Sequence, residues 1–182
     1  QPLPGLSGER ATPSPPPQPR DPPPPGPRDA PYTVSVKIMA DDKEPTVQRL
    51  WEERYRRRLA AASEIIERCC RVRFQVVAVG VWNSDGNAHD MEQLIDEFQR
   101  EVPPEPARLA IGFTGRHQGL RDEERLGVTR GPFRSHILVR EWGRDIAESE
   151  RIEVLVHELG HFLGAVHSPE HRSVMRPDIS DR

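Results

Sequence analysis

The sequence predicts an α/β domain, a mixed twisted sheet layered with helices. Two observations carry that expectation. From residue 32 onward, short runs patterned as strands alternate with stretches whose apolar residues recur at helical spacing. The first thirty residues stand apart, because they hold 12 of the chain's 20 prolines in runs such as SPPPQP and DPPPPGP. Such a segment lacks the apolar residues to bury a core. Residues 1–30 are therefore read as a Pro-rich disordered linker, and residues 31–182 as one folded domain of ordinary size.

The elements follow in order. YTVSVKIMA (32–40) is the first strand, with Val34, Val36 and Ile38 alternating to one face. EPTVQRLWEERYRRRLAAASEIIERC (44–69) is a long helix. Pro45 suits its first turn, and Val47, Trp51, Leu59, Ala62, Ile66 and Cys69 form its apolar stripe. Its arginines are interleaved with glutamates, the pattern of a solvated helix face rather than a basic docking patch. RVRFQVVAVGVW (71–82) is a buried strand. NSDGNAHD is a turn that lacks the ligand register of a calcium loop, and its Asp90 is placed to cap the helix MEQLIDEFQREV. Pro103, Pro104 and Pro106 end that helix. ARLAIGFTG (107–115) is a third strand, LGVTRG (126–131) a short one between glycines, and RSHILVREW (134–142) a fifth. Asp145 and Glu148 have the spacing of a capping box opening a last helix over 149–164.

Composition excludes several function classes. A formal net charge of -3 argues against nucleic-acid binding. No apolar run approaches the ~20 residues of a membrane span. The two cysteines, Cys69 and Cys70, are neighbours, so they cannot staple distant loops. They are read as small apolar side chains buried at a helix end. His89, His117 and His136 have no ligand spacing and are read as surface or turn residues. His171 is read as exposed.

The chemistry concentrates in VHELGHFLGAVHSPEHRSVMRP (156–177). On a helix His157 and His161 stand one turn apart on one face, while Ile152, Leu155, Leu159, Phe162 and Leu163 form the opposite, core-facing side. Two imidazoles so spaced can grip one zinc ion. Glu158 is rotated away from the pair, where a carboxylate can reach a metal-bound water as general base without ligating. A third ligand at His167 requires the helix to stop and turn sharply, and Gly164 provides the left-handed conformation for that turn. Three histidines leave a fourth position open, the mark of a catalytic rather than a structural site.

HELGHFLGAVH fits the long zinc signature H-E-x-x-H-x-x-G-x-x-H, and the segment resembles the metzincin metalloproteases, with Met175 as their Met-turn. Ser168 and Met-x-Pro make it similar to the matrixin type. The resemblance covers about 32–177, strongly at the signature and loosely elsewhere. It implies a metzincin-like fold, with an antiparallel edge strand in the mixed sheet, packed on a long helix and an active-site helix. It also implies one catalytic Zn2+ and a zinc-dependent endopeptidase acting on a peptide or protein substrate. LGVTRG would be the edge strand, pairing with substrate through Gly127, Val128, Thr129 and Arg130. By family analogy the protein would be secreted or otherwise extracytoplasmic, with no nucleic-acid partner, and monomeric. The alternative is a zinc-containing peptide-recognition or scaffolding domain without turnover.

The match has gaps. Segment 115–135 carries no set of structural zinc and calcium ligands, and the cysteine-switch motif is missing. The chain ends five residues after Pro177, so the outer wall of the S1′ pocket is expected to be short, supplied elsewhere or absent. The expectation is a minimal metzincin rather than a true matrixin.

Overall fold

A computed structural model of the chain describes residues 30–44, 46–115, 125–141 and 146–177. The Pro-rich linker over 1–29, Pro45, His117 and Asp145 lie outside these. The element order is β1 (Tyr32–Asp41), α1 (Gln48–Cys70), β2 (Val72–Trp82), α2 (Met91–Glu101), β3 (Leu109–Thr114), β4 (Gly127–Thr129), β5 (His136–Arg140) and α3 (Glu148–Phe162).

The strands form one five-stranded sheet in the order β2-β1-β3-β5-β4. β1, β2, β3 and β5 are parallel, and β4 runs antiparallel to β5 at the sheet's end, with Val128 opposite Leu138. The expected mixed sheet with an antiparallel edge strand is present. Strand alternation sorts the core onto two faces. Val36, Ile38, Ile111 and Val139 pack with Leu59 of α1 and Leu159 of α3, while Met39, Ala110, Val128 and Leu138 pack with Leu94 and Phe98 of α2. The long helix and the histidine-bearing helix therefore share one face of the sheet. Among the described residues no helix is long and apolar enough to cross a membrane.

Several local expectations need correction. Helix α1 begins at Gln48, not at residue 44, with Val47 as N-cap. Glu44 explains the delay. Its carboxylate takes the Thr46 N–H at 3.1 Å and the Tyr55 hydroxyl, which holds the entry chain in a turn. Val47 is therefore 67% exposed and leaves the apolar stripe. Cys69 and Cys70 are exposed free thiols rather than buried apolar side chains.

Nor is the arginine-rich face wholly solvated. The Arg58 side chain is fully buried, with its guanidinium over the rings of Tyr55 and Phe113. It donates to Glu148 at 2.8 and 2.9 Å and to Glu141, which ties α1 to the end of β5 and to the first turn of α3. Arg58 therefore claims the Glu148 carboxylate. The N-cap of α3 is Ala147, and Glu150 accepts its N–H at 3.1 Å. Asp90 does cap α2, accepting from the Gln93 N–H at 2.8 Å. His136 is buried rather than superficial: its Nε2 donates to the Val102 carbonyl at 2.7 Å.

Candidate metal centre

Helix α3 has to bury one side and present another. Leu155, Leu159 and Phe162 enter the sheet-facing core, at i, i+4 and i+7. His157 and His161 point off that stripe, one turn apart, with ring centroids separated by 4.5 Å.

The end of the helix brings in the third histidine. Gly164 has φ of +97°, a conformation in which a Cβ is strained. With it the Gly164 N–H reaches the His161 carbonyl at 3.0 Å and the Ala165 N–H reaches the Gly160 carbonyl at 2.9 Å, the paired bonds of a Schellman end. The chain is thereby turned back so that His167 faces the helix.

The three rings converge. His161 Nε2 lies 2.9 Å from His157 Nε2 and 3.1 Å from His167 Nε2. The proton positions follow from the other side of the rings. His157 Nδ1 faces the Val174 carbonyl at 2.8 Å, and His161 Nδ1 faces the Ala165 carbonyl at 2.9 Å. A carbonyl only accepts, so each Nδ1 carries the proton and each Nε2 turns a lone pair inward. Lone pairs facing one another at such distances repel, and a cation among them reverses the sign. A tetrahedral zinc with bonds of about 2.0–2.1 Å needs donors about 3.3 Å apart, close to what the rings already provide. Burial pushes the His161 imidazole below its ordinary pKa and His167 adds to this, against the pull of the Ala165 carbonyl. Neutral imidazoles are the ligating form. Among the described residues, His157, His161 and His167 are the group whose ligand atoms converge, all within 4.8 Å. The donor set fits zinc.

Met175 lies against Gly160 of α3. A Cβ on Gly160 would stand 2.5 Å from its sulfur, so the methionine fills the space that the glycine leaves. Its turn also carries the Val174 carbonyl that orients His157.

Glu158 is 2% exposed and faces β4. The Thr129 hydroxyl donates to its Oε2 at 2.5 Å, and Oε1 lies 2.5 Å from where a Cβ on Gly127 would be. A cleft of about 420 Å³ opens over these groups, lined by His157, Glu158, His161, His167, Thr129 and Arg125 among others.

The edge-strand residues divide. Gly127 and Thr129 share the pleat face turned to α3, whereas Val128 points into the α2 core. Leu126 O accepts from Arg140 N at 2.8 Å, so by alternation the peptide groups of Gly127 and Thr129 point away from the sheet. Arg130 lies just past the strand, and its guanidinium binds Glu92 and Asp96 of α2. Arg125 was not foreseen. It donates through Nε to the Gly127 carbonyl at 3.2 Å and through Nη1 to Glu92 at 2.6 Å, and no local spacing announces it.

By sequence, residues 140–182 match the matrixin family. No curated protein matches the chain. Among solved structures the fold is similar to archaemetzincin from Methanopyrus kandleri, with a TM-score of 0.55 and 19% identity over 82% of this chain and 83% of that one. It is similar to metalloproteinase-II from Bacteroides fragilis, with a TM-score of 0.54 and 13% identity over 82% of this chain and 49% of that one. It is also similar to a protein in a chaperone–substrate complex, with a TM-score of 0.56 and 11% identity over 82% of this chain but 29% of that one. At such identities the likeness speaks for the fold alone. The fold is metzincin-like, and the matrixin match covers the zinc signature.

Proposed function

We propose that this chain is a zinc-dependent endopeptidase. The observation that carries the reading is the convergence of three imidazole Nε2 atoms beside a buried carboxylate, at the floor of a cleft bordered by an edge strand. His157, His161 and His167 would hold one zinc ion, with Met175 as the apolar floor of a Met-turn. The chemistry the ion supplies when bound is Lewis-acid polarisation of a carbonyl and of a water molecule.

The chain's own groups do the rest. An extended peptide laid along β4 finds outward peptide groups at Gly127 and Thr129, which fix its register by backbone pairing. Glu158 takes the proton from the attacking water at a carboxylate oxygen and delivers it to the leaving amine. Its burial beside the histidines keeps the proton transfer local. Matrixin similarity over the signature supports the same assignment.

The test is cleavage of a peptide library by the purified, zinc-loaded protein, followed by mass spectrometry. Cleavage should stop on chelation and return with zinc. Glu158→Gln should retain about one zinc per chain and lose ~10²–10⁴-fold in rate, the range for removing a general base. Zinc binding without any cleavage by the parent would instead favour a peptide-recognition domain.

A further inference from the structure

We propose that Thr129 is a positioning residue whose hydroxyl holds the Glu158 carboxylate beside the histidine cluster. The proposal rests on the endopeptidase reading for its consequence in rate, and on the structure for the contact itself.

A glutamate side chain has three rotatable bonds, and confining it costs rotamer entropy. A base that must meet a proton at one place cannot leave that confinement to chance. Helix α3 fixes only the Glu158 backbone. The confinement comes from β4. The Thr129 hydroxyl commits its one proton to Oε2 at 2.5 Å, so the donor holds the carboxylate end of the glutamate. The opposite oxygen, Oε1, occupies the space that Gly127 leaves by lacking a Cβ. Two residues apart on one strand, a donor and a vacancy thus cradle a single carboxylate. Thr129 suits the task because its branched Cβ restricts χ1 and so aims the hydroxyl. A carboxylate has acceptor capacity for more than one hydrogen bond, so the grip by a single hydroxyl does not by itself consume the base.

The arrangement also separates two roles that fall on one residue. The outward backbone of Thr129 belongs to the peptide-binding edge, and its side chain belongs to the base. A variant that alters only the side chain therefore isolates the second role.

The experiment uses Thr129→Val, which keeps the shape and removes the donor, and Thr129→Ser, which keeps the donor. Glu158→Gln and the Thr129→Val/Glu158→Gln pair complete the set. Zinc content, steady-state constants on a library-derived peptide, and the visible ligand-field spectrum of the Co2+-substituted protein are measured for each. Thr129→Val should keep about one zinc and a KM within about twofold, while kcat falls about 10- to 100-fold, as expected for a lost bond to a charged group. Thr129→Ser should recover most of that loss. In the Glu158→Gln background Thr129→Val should add less than about twofold, because both changes act through one carboxylate. The cobalt spectrum of Thr129→Val should move toward that of Glu158→Gln, with Thr129→Ser staying at the parent's. Should the valine variant melt early, Thr129→Ala gives the same readings.

A parental kcat and cobalt spectrum in Thr129→Val would overturn the proposal, as would a serine variant as impaired as the valine one. If the parent cleaves nothing, the endopeptidase reading fails separately. The cobalt spectra then decide the Thr129–Glu158 contact: a moved Thr129→Val spectrum supports it and an unmoved one sinks it.

Discussion

The sulfur of Met175 occupies the place beside Gly160 where any other residue would carry its Cβ, which would lie only 2.5 Å away. Gly160→Ala must therefore displace the Met175 thioether, and the expected outcome is that the strain reaches the adjoining turn, whose Val174 carbonyl orients His157 at 2.8 Å. Overpacking of this kind costs about 1–3 kcal/mol, and loss of an orienting partner weakens metal binding about 10- to 100-fold. Thermal melting with and without chelator, together with a zinc competition titration, measures both. An alanine variant with parental melting and zinc affinity would show that the methionine is free to relocate.

Gly164→Val tests the turn. The nearest atom to a Cβ there is Pro132 Cβ at 4.0 Å, so the Cβ itself meets open space and its penalty is the φ of +97°. A β-branched residue in that conformation costs about 1–3 kcal/mol. The turn delivers both His167 and the Ala165 carbonyl that holds His161 at 2.9 Å, so zinc affinity should fall together with stability. A folded Gly164→Val protein that binds zinc normally would detach the ligand geometry from this turn.

His136 predicts a pH dependence of stability with a definite sign. Burial holds its imidazole below the ordinary 6.5, with Lys37 adding to this and the Val102 carbonyl and Glu105 opposing. On falling through pH 6.5 the unfolded chain therefore binds a proton before the folded one does, and stability drops as pH falls. Above 6.5 both states are neutral and the contribution is level. Urea melts of the parent and His136→Gln between pH 7.5 and 5 should show the parent losing more over the window. Equal slopes would mean that the folded protein accepts the proton as readily as the unfolded chain.

What could be read in advance was what lies close together along the chain. Two histidines one turn apart, a glutamate off their axis and a glycine at the helix end are local relations, and helix geometry alone converts them into a site. Elements unreadable from the sequence depend on distant partners. Arg58 looked like one more solvated arginine, yet Glu141 and Glu148, 83 and 90 residues later, draw it into the core. His136 looked like a surface residue until the Val102 carbonyl, 34 residues upstream, was set against it. The Gly127–Thr129 cradle lay between these cases. Strand alternation puts Gly127 and Thr129 on one face, but which helix that face meets depends on the sheet order. The edge position of β4 was expected only because the histidine signature resembles a family whose sheet ends that way.

The edge strand itself is short, three residues paired to β5, and its support lies outside the ladder. Glu92 of α2 accepts from Arg125 at 2.6 Å on one side of β4 and binds the Arg130 guanidinium on the other, so a single carboxylate braces both ends of the strand. These are partly exposed pairs, each worth about 1 kcal/mol or less, so Glu92→Gln should barely change the melting temperature. Its effect should be local. With both arginines loosened, amide hydrogen exchange over residues 125–130 should quicken, and Arg125 should release the Gly127 carbonyl it holds at 3.2 Å. If peptides bind by pairing with this edge, KM should rise several-fold while zinc content stays at one per chain and kcat changes little. Unchanged exchange in Glu92→Gln would show that the ladder to β5 holds the edge without help. Faster exchange with an unaltered KM would place peptide binding elsewhere in the cleft.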